Sequence, residues 1–417
     1  MKRRVQSIAA AVGALALLAG LGSLSWLAAQ QPALVADLRV APVAPVSSAA
    51  AAWDSALPPP VMPPMPAPVP DTARALGPDE IEVCGYGVAK AGSDAAGALE
   101  AQAQEGWRRA TQSHLQRMLA SADSRARAAA LMVSFQFEPL VELALRNSDP
   151  TIYAMALAAC DRRAVEPQQA QACQMISAEQ GAHLDADNAA AWLQVAAQAE
   201  RRREPDAVAA ALHRASVAPR IDYRVLDFAP LALAFLPATL SRAERAQLVV
   251  AGIGIQAALA VPQYQVISKS CAEARMADSN QRQTCAALAE LLVAKGPTLI
   301  DLHIGRRIGE RAGWSPERVE GLGAKFEALM QVMIDQQMGA PGGHLSCATA
   351  ERAERWWREQ APIGERAAAE RALVRTGWSE AQIMERYRQR LRQRAADTAA
   401  PAASEAAAAA SAASTPR

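Results

Sequence analysis

Six cysteines carry the most informative chemistry in this chain: Cys84, Cys160, Cys173, Cys271, Cys285 and Cys347. None stands in a C-x-x-C pair, and none is followed by the histidine that haem attachment needs. An even number in an exported chain reads as disulfides. Cys160 and Cys173 lie equally far from the centre of a turn expected at Ala164–Pro167, and Cys271 and Cys285 are symmetric about the polar turn Ala277–Asn280. Residues equidistant from the turn of an antiparallel helix hairpin face each other, so each pair can reach the Cα separation of about 5.5–6 Å that a disulfide requires. Cys84 and Cys347 remain, in the turn-like settings Cys84-Gly85-Tyr86-Gly87 and Gly342-Gly343-His344-Leu345-Ser346-Cys347. By elimination they pair with each other. The loop-closure estimate assigns each short staple about 3 kcal/mol. Free, buried core cysteines are the competing reading. A zinc site is not expected, because His344-x-x-Cys347 has no companion pair of ligands.

Other candidates resolve into structural roles. Gly252-Ile253-Gly254-Ile255-Gln256-Ala257 follows Leu248-Val249-Val250 and imitates a dinucleotide fingerprint, but Ser241-Arg-Ala-Glu244 opens a helix that runs through the glycines. A fingerprint needs a preceding strand; close helix packing at small residues explains the motif better. The five histidines (His114, His183, His213, His303, His344) are scattered. Asp301-x-His303 places two titratable groups near a helix start without a nucleophile at readable spacing, which reads as a hydrophilic face. Arg386, Arg388, Arg390 and Arg392 make the last helix basic beside the apolar stripe Ile383, Tyr387 and Leu391, a pattern read as a solvated face. Leu329-Met330-Gln331-Val332-Met333 after Gly323-Ala324 resembles a segment of the lytic transglycosylases, helical envelope enzymes that cleave peptidoglycan. The interval between the two parts is longer than in that family, and no carboxylate stands where its catalytic glutamate would; Glu310 and Glu327 are nearby without matching it. No catalytic residue, cofactor or metal ligand is therefore assigned.

The elements that position these residues begin at the N-terminus. Lys2, Arg3 and Arg4 precede an uncharged run from Val5 to Ala36. Its apolar centre, residues 8–29, is long enough to cross a hydrocarbon core of about 30 Å as a helix. Basic residues before the run keep the N-terminus inside and send the rest out. A cleaved signal peptide is the alternative, although Leu27 spoils a small-x-small site near Ala29. Residues 31–80 form a linker: Pro58, Pro59, Pro60, Pro63, Pro64, Pro66, Pro68 and Pro70 favour extended polyproline II. Residues 81–395 read as a helical domain and residues 396–417 as a disordered Ala-rich tail. Aromatics make up 4% of the chain and alanine is abundant, which favours closely packed helices. A strand is conceivable only at Ile81–Cys84. Asp149-Pro150, Pro167, Asn188, Pro205 and Ser241 punctuate short helices joined by short turns, which makes consecutive helices antiparallel neighbours. Arg311-Ala-Gly313-Trp314-Ser315 and Arg375-Thr-Gly377-Trp378-Ser379 echo each other, with glycine ending one helix and serine capping the next. In each, Trp can staple onto Val319 or Ile383, and Ser379 with Gln382 fits a capping box.

Residues 185–219 resemble a tetratricopeptide repeat, a helix–turn–helix unit of about 34 residues. Asp185-Ala186-Asp187-Asn188 sits where the family joins its repeats. Trp192, Val195 and Ala196 fall on its first-helix Trp, Leu and Gly/Ala positions, and Leu212 and Ala215 on its second-helix aromatic and Ala positions. Ala199, Val208 and Arg203 depart from the family's tyrosine, alanine and turn glycine. The resemblance implies a helical-repeat surface that binds peptides or proteins.

These readings combine into an all-α fold: antiparallel helix hairpins in an α-solenoid type array, stapled by disulfides, after a membrane anchor and a proline-rich linker. The expected address is the bacterial inner membrane, single-pass through residues 8–29, with the C-terminal domain in the periplasm. The expected function is a non-enzymatic protein-protein interaction or scaffold role with a protein or peptide partner in the envelope. A peptidoglycan-active or other cryptic envelope hydrolase is the alternative. The net charge of +1 offers no general attraction for nucleic acid.

Overall fold

The computed structural model describes residues 76–77, 79–161, 167–259, 263–338 and 346–393. The anchor, almost all of the 31–80 linker, His344 and the 396–417 tail lie outside the described residues. Among the described residues no helix is long and apolar enough to cross a membrane.

A hairpin comes first. β1 (Glu80–Val83) pairs antiparallel with β2 (Gly87–Lys90), Glu80 opposite Lys90 and Val83 opposite Gly87. The all-helical reading allowed for a strand near Ile81–Cys84 and missed the second. Gly-Val-Ala-Lys contains one good strand former, so its pairing comes from tertiary support rather than propensity. Gly85 turns the hairpin at φ +77°. Tyr86 lies against Gly106, where a Cβ would collide with its hydroxyl, and that hydroxyl accepts from Gln247 Nε2 at 3.2 Å.

The described chain is otherwise helical. Its helices are α1 (Asp94–Leu119), α2 (Ser124–Val133), α3 (Phe137–Arg146), α4 (Pro150–Cys160), α5 (Pro167–Cys173), α6 (Ala178–Leu184), α7 (Ala189–Arg202) and α8 (Pro205–Ser216). After a 3₁₀ turn at Arg224–Asp227 come α9 (Phe228–Ala234), α10 (Arg242–Ala258), α11 (Gln263–Ser270), α12 (Ser279–Lys295), α13 (Leu299–Arg311), α14 (Pro316–Met338), α15 (Cys347–Gln360) and α16 (Glu365–Arg375). A last helix, α17, covers 380–393. The starts follow local chemistry. Asp149 accepts from the Thr151 amide ahead of a helix with proline in its first turn, and Asn188 accepts from Ala190. Ser177 with Gln180, Ser241 with Glu244 and Thr298 with Asp301 close capping boxes. Ser379 and Gln382 exchange the same pair of bonds.

Two large cores share Leu226 at their border. One gathers Met118, Leu140, Ile152, Met155, Phe228 and Trp356; the other gathers Trp192, Leu193, Leu212, Ile267, Leu288 and Leu292. Neighbours in sequence pack together, α7 with α8 and α12 with α13, but α10 also packs on α1 and α15, and α14 on α16. In a strictly linear solenoid each pair would touch only its neighbours; the cross-packing around α10 goes beyond that. Disulfides join Cys160 to Cys173, Cys271 to Cys285 and Cys84 to Cys347, with Cα separations of 5.5, 5.7 and 4.6 Å.

Several local expectations change. Gly252 and Gly254 lie within α10 as expected, yet an added Cβ would meet nothing within 4 Å at either, so they form no packing notch. Trp314 lies against Gly309, one turn back along α13, and under the Arg318 guanidinium at 3.6 Å from its centroid. Trp378 carries Arg386 at 4.2 Å. The basic stripe of α17 is exposed as expected, and two of its members also reach α14: Arg388 pairs with Glu320 at 3.0 Å and Arg390 with Glu327 at 3.1 Å.

The turn between α7 and α8 is closed by Arg203 in the left-handed region, φ +62° and ψ +42°. A side chain there costs about 1–2 kcal/mol, and glycine returns about half of that gain through its freer unfolded chain. Arg203→Gly should therefore raise unfolding stability by about 0.5–1 kcal/mol in urea titration. A loss of stability would show that the Arg203 side chain contributes contacts worth more than the strain.

Candidate functional site

A groove of ≈ 760 Å³ is built by four helices and one connecting segment. From α7 come Ala190, Gln194, Ala197 and Arg201, successive positions of one helical stripe. The opposite stripe of α7 packs into the core through Trp192, Val195, Ala196 and Ala199, which turns the first stripe toward the groove, Ala190 and Ala197 at its floor. Across from it, α4 contributes Tyr153, Leu157 and Asp161, one turn apart. Ala178 and Gly181 of α6, Asp222–Val225, and Gln263, Gln265 and Lys269 of α11 complete the walls. Gly181 is needed here because Leu157 and Tyr153 would press on any Cβ, at 3.1 and 3.2 Å.

The charged groups of the walls are internally matched. Asp185, at the end of α6, accepts from Asn188 Nδ2 at 2.7 Å, from Arg224 Nε at 3.2 Å and from Arg220. Burial alone would raise the Asp185 pKa, but Asn188 and the two guanidiniums outweigh it and hold the carboxyl below its ordinary range. Arg224 also binds Asp222 at 2.7 Å. Asp161 accepts from Gln194 at 3.1 Å and from Arg201 at 2.5 Å, and Lys269 reaches Glu200 at 2.9 Å.

Behind the groove, Tyr223 donates to Asp301 Oδ1 at 2.7 Å. Tyr264 donates to the same oxygen at 3.0 Å, while the Thr298 amide and hydroxyl donate to Oδ2, each at 2.9 Å. Asp301 has no exposed surface; burial raises its pKa against these hydrogen bonds. Glu365 accepts from the Leu299 amide at 2.9 Å and is raised by burial, then by repulsion from Asp301. This cluster caps α13 and links it to the groove wall. The hydrophilic face read from Asp301-x-His303 is thus divided. Asp301 faces inward as the third residue of a capping box, and His303 packs on Phe326 at 4.9 Å between centroids. Burial, then Arg306 and Arg307, lower the His303 pKa. His114 is buried too, and burial followed by Arg117 lowers it to about 4.

Asp227 behaves differently. Burial, then the Asp222 charge, raise its pKa to about 6 against Arg224, Thr151 and Arg125. A raised carboxyl binds its proton more tightly when folded, so its stabilising contribution is complete below about pH 4 and is lost as pH rises through about 6. Asp227→Asn should stabilise the protein by up to about 2 kcal/mol at pH 7 and leave it nearly unchanged at pH 4, by denaturant titration at both values. Equal effects at the two pH values would rule out titration of Asp227 as the cause.

None of the six cysteines lines the groove. Glu310 pairs with Arg307 at 2.6 Å and Glu327 with Arg390, and neither lines it. Among the described residues no group of three or more His, Cys, Asp or Glu side chains could hold a metal ion. Sequence reasoning noticed Asp185 and Asn188 only as a joint between repeats, and missed Asp222, Arg224 and Gln263 as walls of one groove. Spacing offers no signal for them, because they come from segments far apart in the chain. Compared with protein-family models, with curated proteins and with solved structures, the chain matches none.

Proposed function

We propose that this protein is a non-enzymatic interaction or scaffold module of the bacterial periplasm. Residues 8–29 tether it to the inner membrane, the proline-rich linker holds the folded part away, and the groove receives a protein or peptide partner. The observation that carries the reading is the ≈ 760 Å³ groove along the stripe Ala190, Gln194, Ala197 and Arg201 of α7. Its volume falls in the range of about 300–1,000 Å³ that ligand sites occupy. The two-helix unit α7–α8, with Trp192 and Leu212 buried between its helices and neighbours, supports the tetratricopeptide-like reading of residues 185–219. The solenoid-like part of the array is then the run from α6 to α8 continued by α12 and α13, while the cross-packed helices around α10 form a separate buttress.

The test is a comparative capture from detergent-solubilised envelope. Full-length wild-type chain and Ala191→Arg, which places a long cation in the groove, are used side by side after circular dichroism shows equal helix content. At least one cross-linked polypeptide should fall about tenfold or more with the variant. An identical set of captured proteins would remove the groove from the function.

A further inference from the structure

We infer that the groove selects an extended, uncharged peptide segment and reads it through its backbone amides, with Gln263 as the anchoring residue. The inference rests on the peptide-binding reading above and specifies its ligand. Every charged side chain lining the groove already has an opposite charge on this chain. Asp161 holds Arg201, Glu200 holds Lys269, and Arg224 is shared between Asp222 and Asp185. A charged ligand would have to break one of these pairs or lose water without compensation, whereas an uncharged one leaves them intact.

Gln263 indicates what the ligand must offer. It opens α11 in the groove wall, with 8% of its surface exposed, and its Oε1 is enclosed without a hydrogen-bond partner. A buried carboxamide oxygen without a partner is costly, and a backbone amide supplies what it lacks. Once the side chain turns toward the groove, its oxygen accepts the peptide N–H and its NH₂ donates to the peptide C=O. Between these polar edges the walls carry Ala154, Ala158, Ala190 and Ala191, whose small side chains leave room for those of a bound strand. Shape therefore accepts varied side chains, and the backbone carries the recognition.

Full-length protein in detergent micelles is applied to an array of short, end-blocked peptides of three kinds: uncharged, containing several aspartates, or containing several lysines. The uncharged class should give most of the binding, and affinities of its best members, read by fluorescence anisotropy, should hardly change between low and high salt. Gln263→Met, which keeps the side chain's length and removes its polar group, should weaken those peptides about tenfold or more while the melting temperature stays level or rises. Preference for the acidic or basic class overturns the inference and leaves peptide binding standing. Unchanged affinity with Gln263→Met overturns the anchoring role. Should Gln263→Met lower the melting temperature, the salt series on wild-type protein decides alone. Binding by no class overturns the inference together with the reading beneath it.

Discussion

A Cys84→Ser/Cys347→Ser double variant should lose about 4–5 kcal/mol of stability, the largest effect expected of any pair of substitutions considered. The bridge spans 263 residues of sequence, and on the chain-entropy estimate a closed loop of that length restricts the unfolded state more than the two local loops do, which come to about 3 kcal/mol each. Its surroundings give it further weight. The core around it consists of Cys84, Ala246, Cys347 and Ala350, too small to bury much apolar area. Apart from the bridge, the hairpin rests on α1 and α10, through Tyr86 on Gly106 and Gln247 and through Gly85 on Ala243. Guanidinium titration under non-oxidising and non-reducing conditions, with the Cys160→Ser/Cys173→Ser pair for comparison, would measure it. A loss below about 1 kcal/mol would mean that helix packing of α10 on α1 and α15 holds this end without the bridge.

Trp192→Ala should cost about 3–5 kcal/mol, as truncations of large buried aromatics do. The indole is 9% exposed and its Nε1 donates to the Ala186 carbonyl at 2.8 Å. His183 meets it edge-on at 6.1 Å and the Arg214 guanidinium covers it at 4.6 Å. The ring therefore ties together α6, the Asp185–Asn188 joint, α7 and α8. Its removal should also weaken whatever binds the groove, because it fixes the rotation of α7 that turns Ala190, Gln194 and Ala197 toward the groove. Urea unfolding supplies the first number, and a loss below about 1 kcal/mol would detach Trp192 from the repeat-like core.

Much of the local structure was legible in the sequence, and the reason is that it is built from short-range chemistry. A serine, asparagine or aspartate ahead of an apolar run, with proline in the first turn or glutamate three residues on, states a helix start without knowledge of the fold. The starts at Asp149 and Ser241 are of this kind, and Asn188 caps its apolar run by its side chain alone. The spacing of Cys160 from Cys173, and of Cys271 from Cys285, about short turns already brings each pair within reach. What the tertiary structure alone decided depends on contacts between distant segments. The second strand, Gly87–Lys90, has little propensity and exists through its pairing with β1. The arginines of α17 stay largely exposed, and only the packing of α14 beside them decides that Arg388 and Arg390 find Glu320 and Glu327. Asp301 and His303 share a helix turn, but only the approach of Tyr223, Tyr264 and Glu365 makes one of them an interior carboxyl. The groove is the same kind of object. Its walls are drawn from α4, α6, α7, the Asp222–Val225 segment and α11. Side-chain periodicity assigns each residue to a face of its own helix, and only packing decides which faces meet and which are left facing one another across open space.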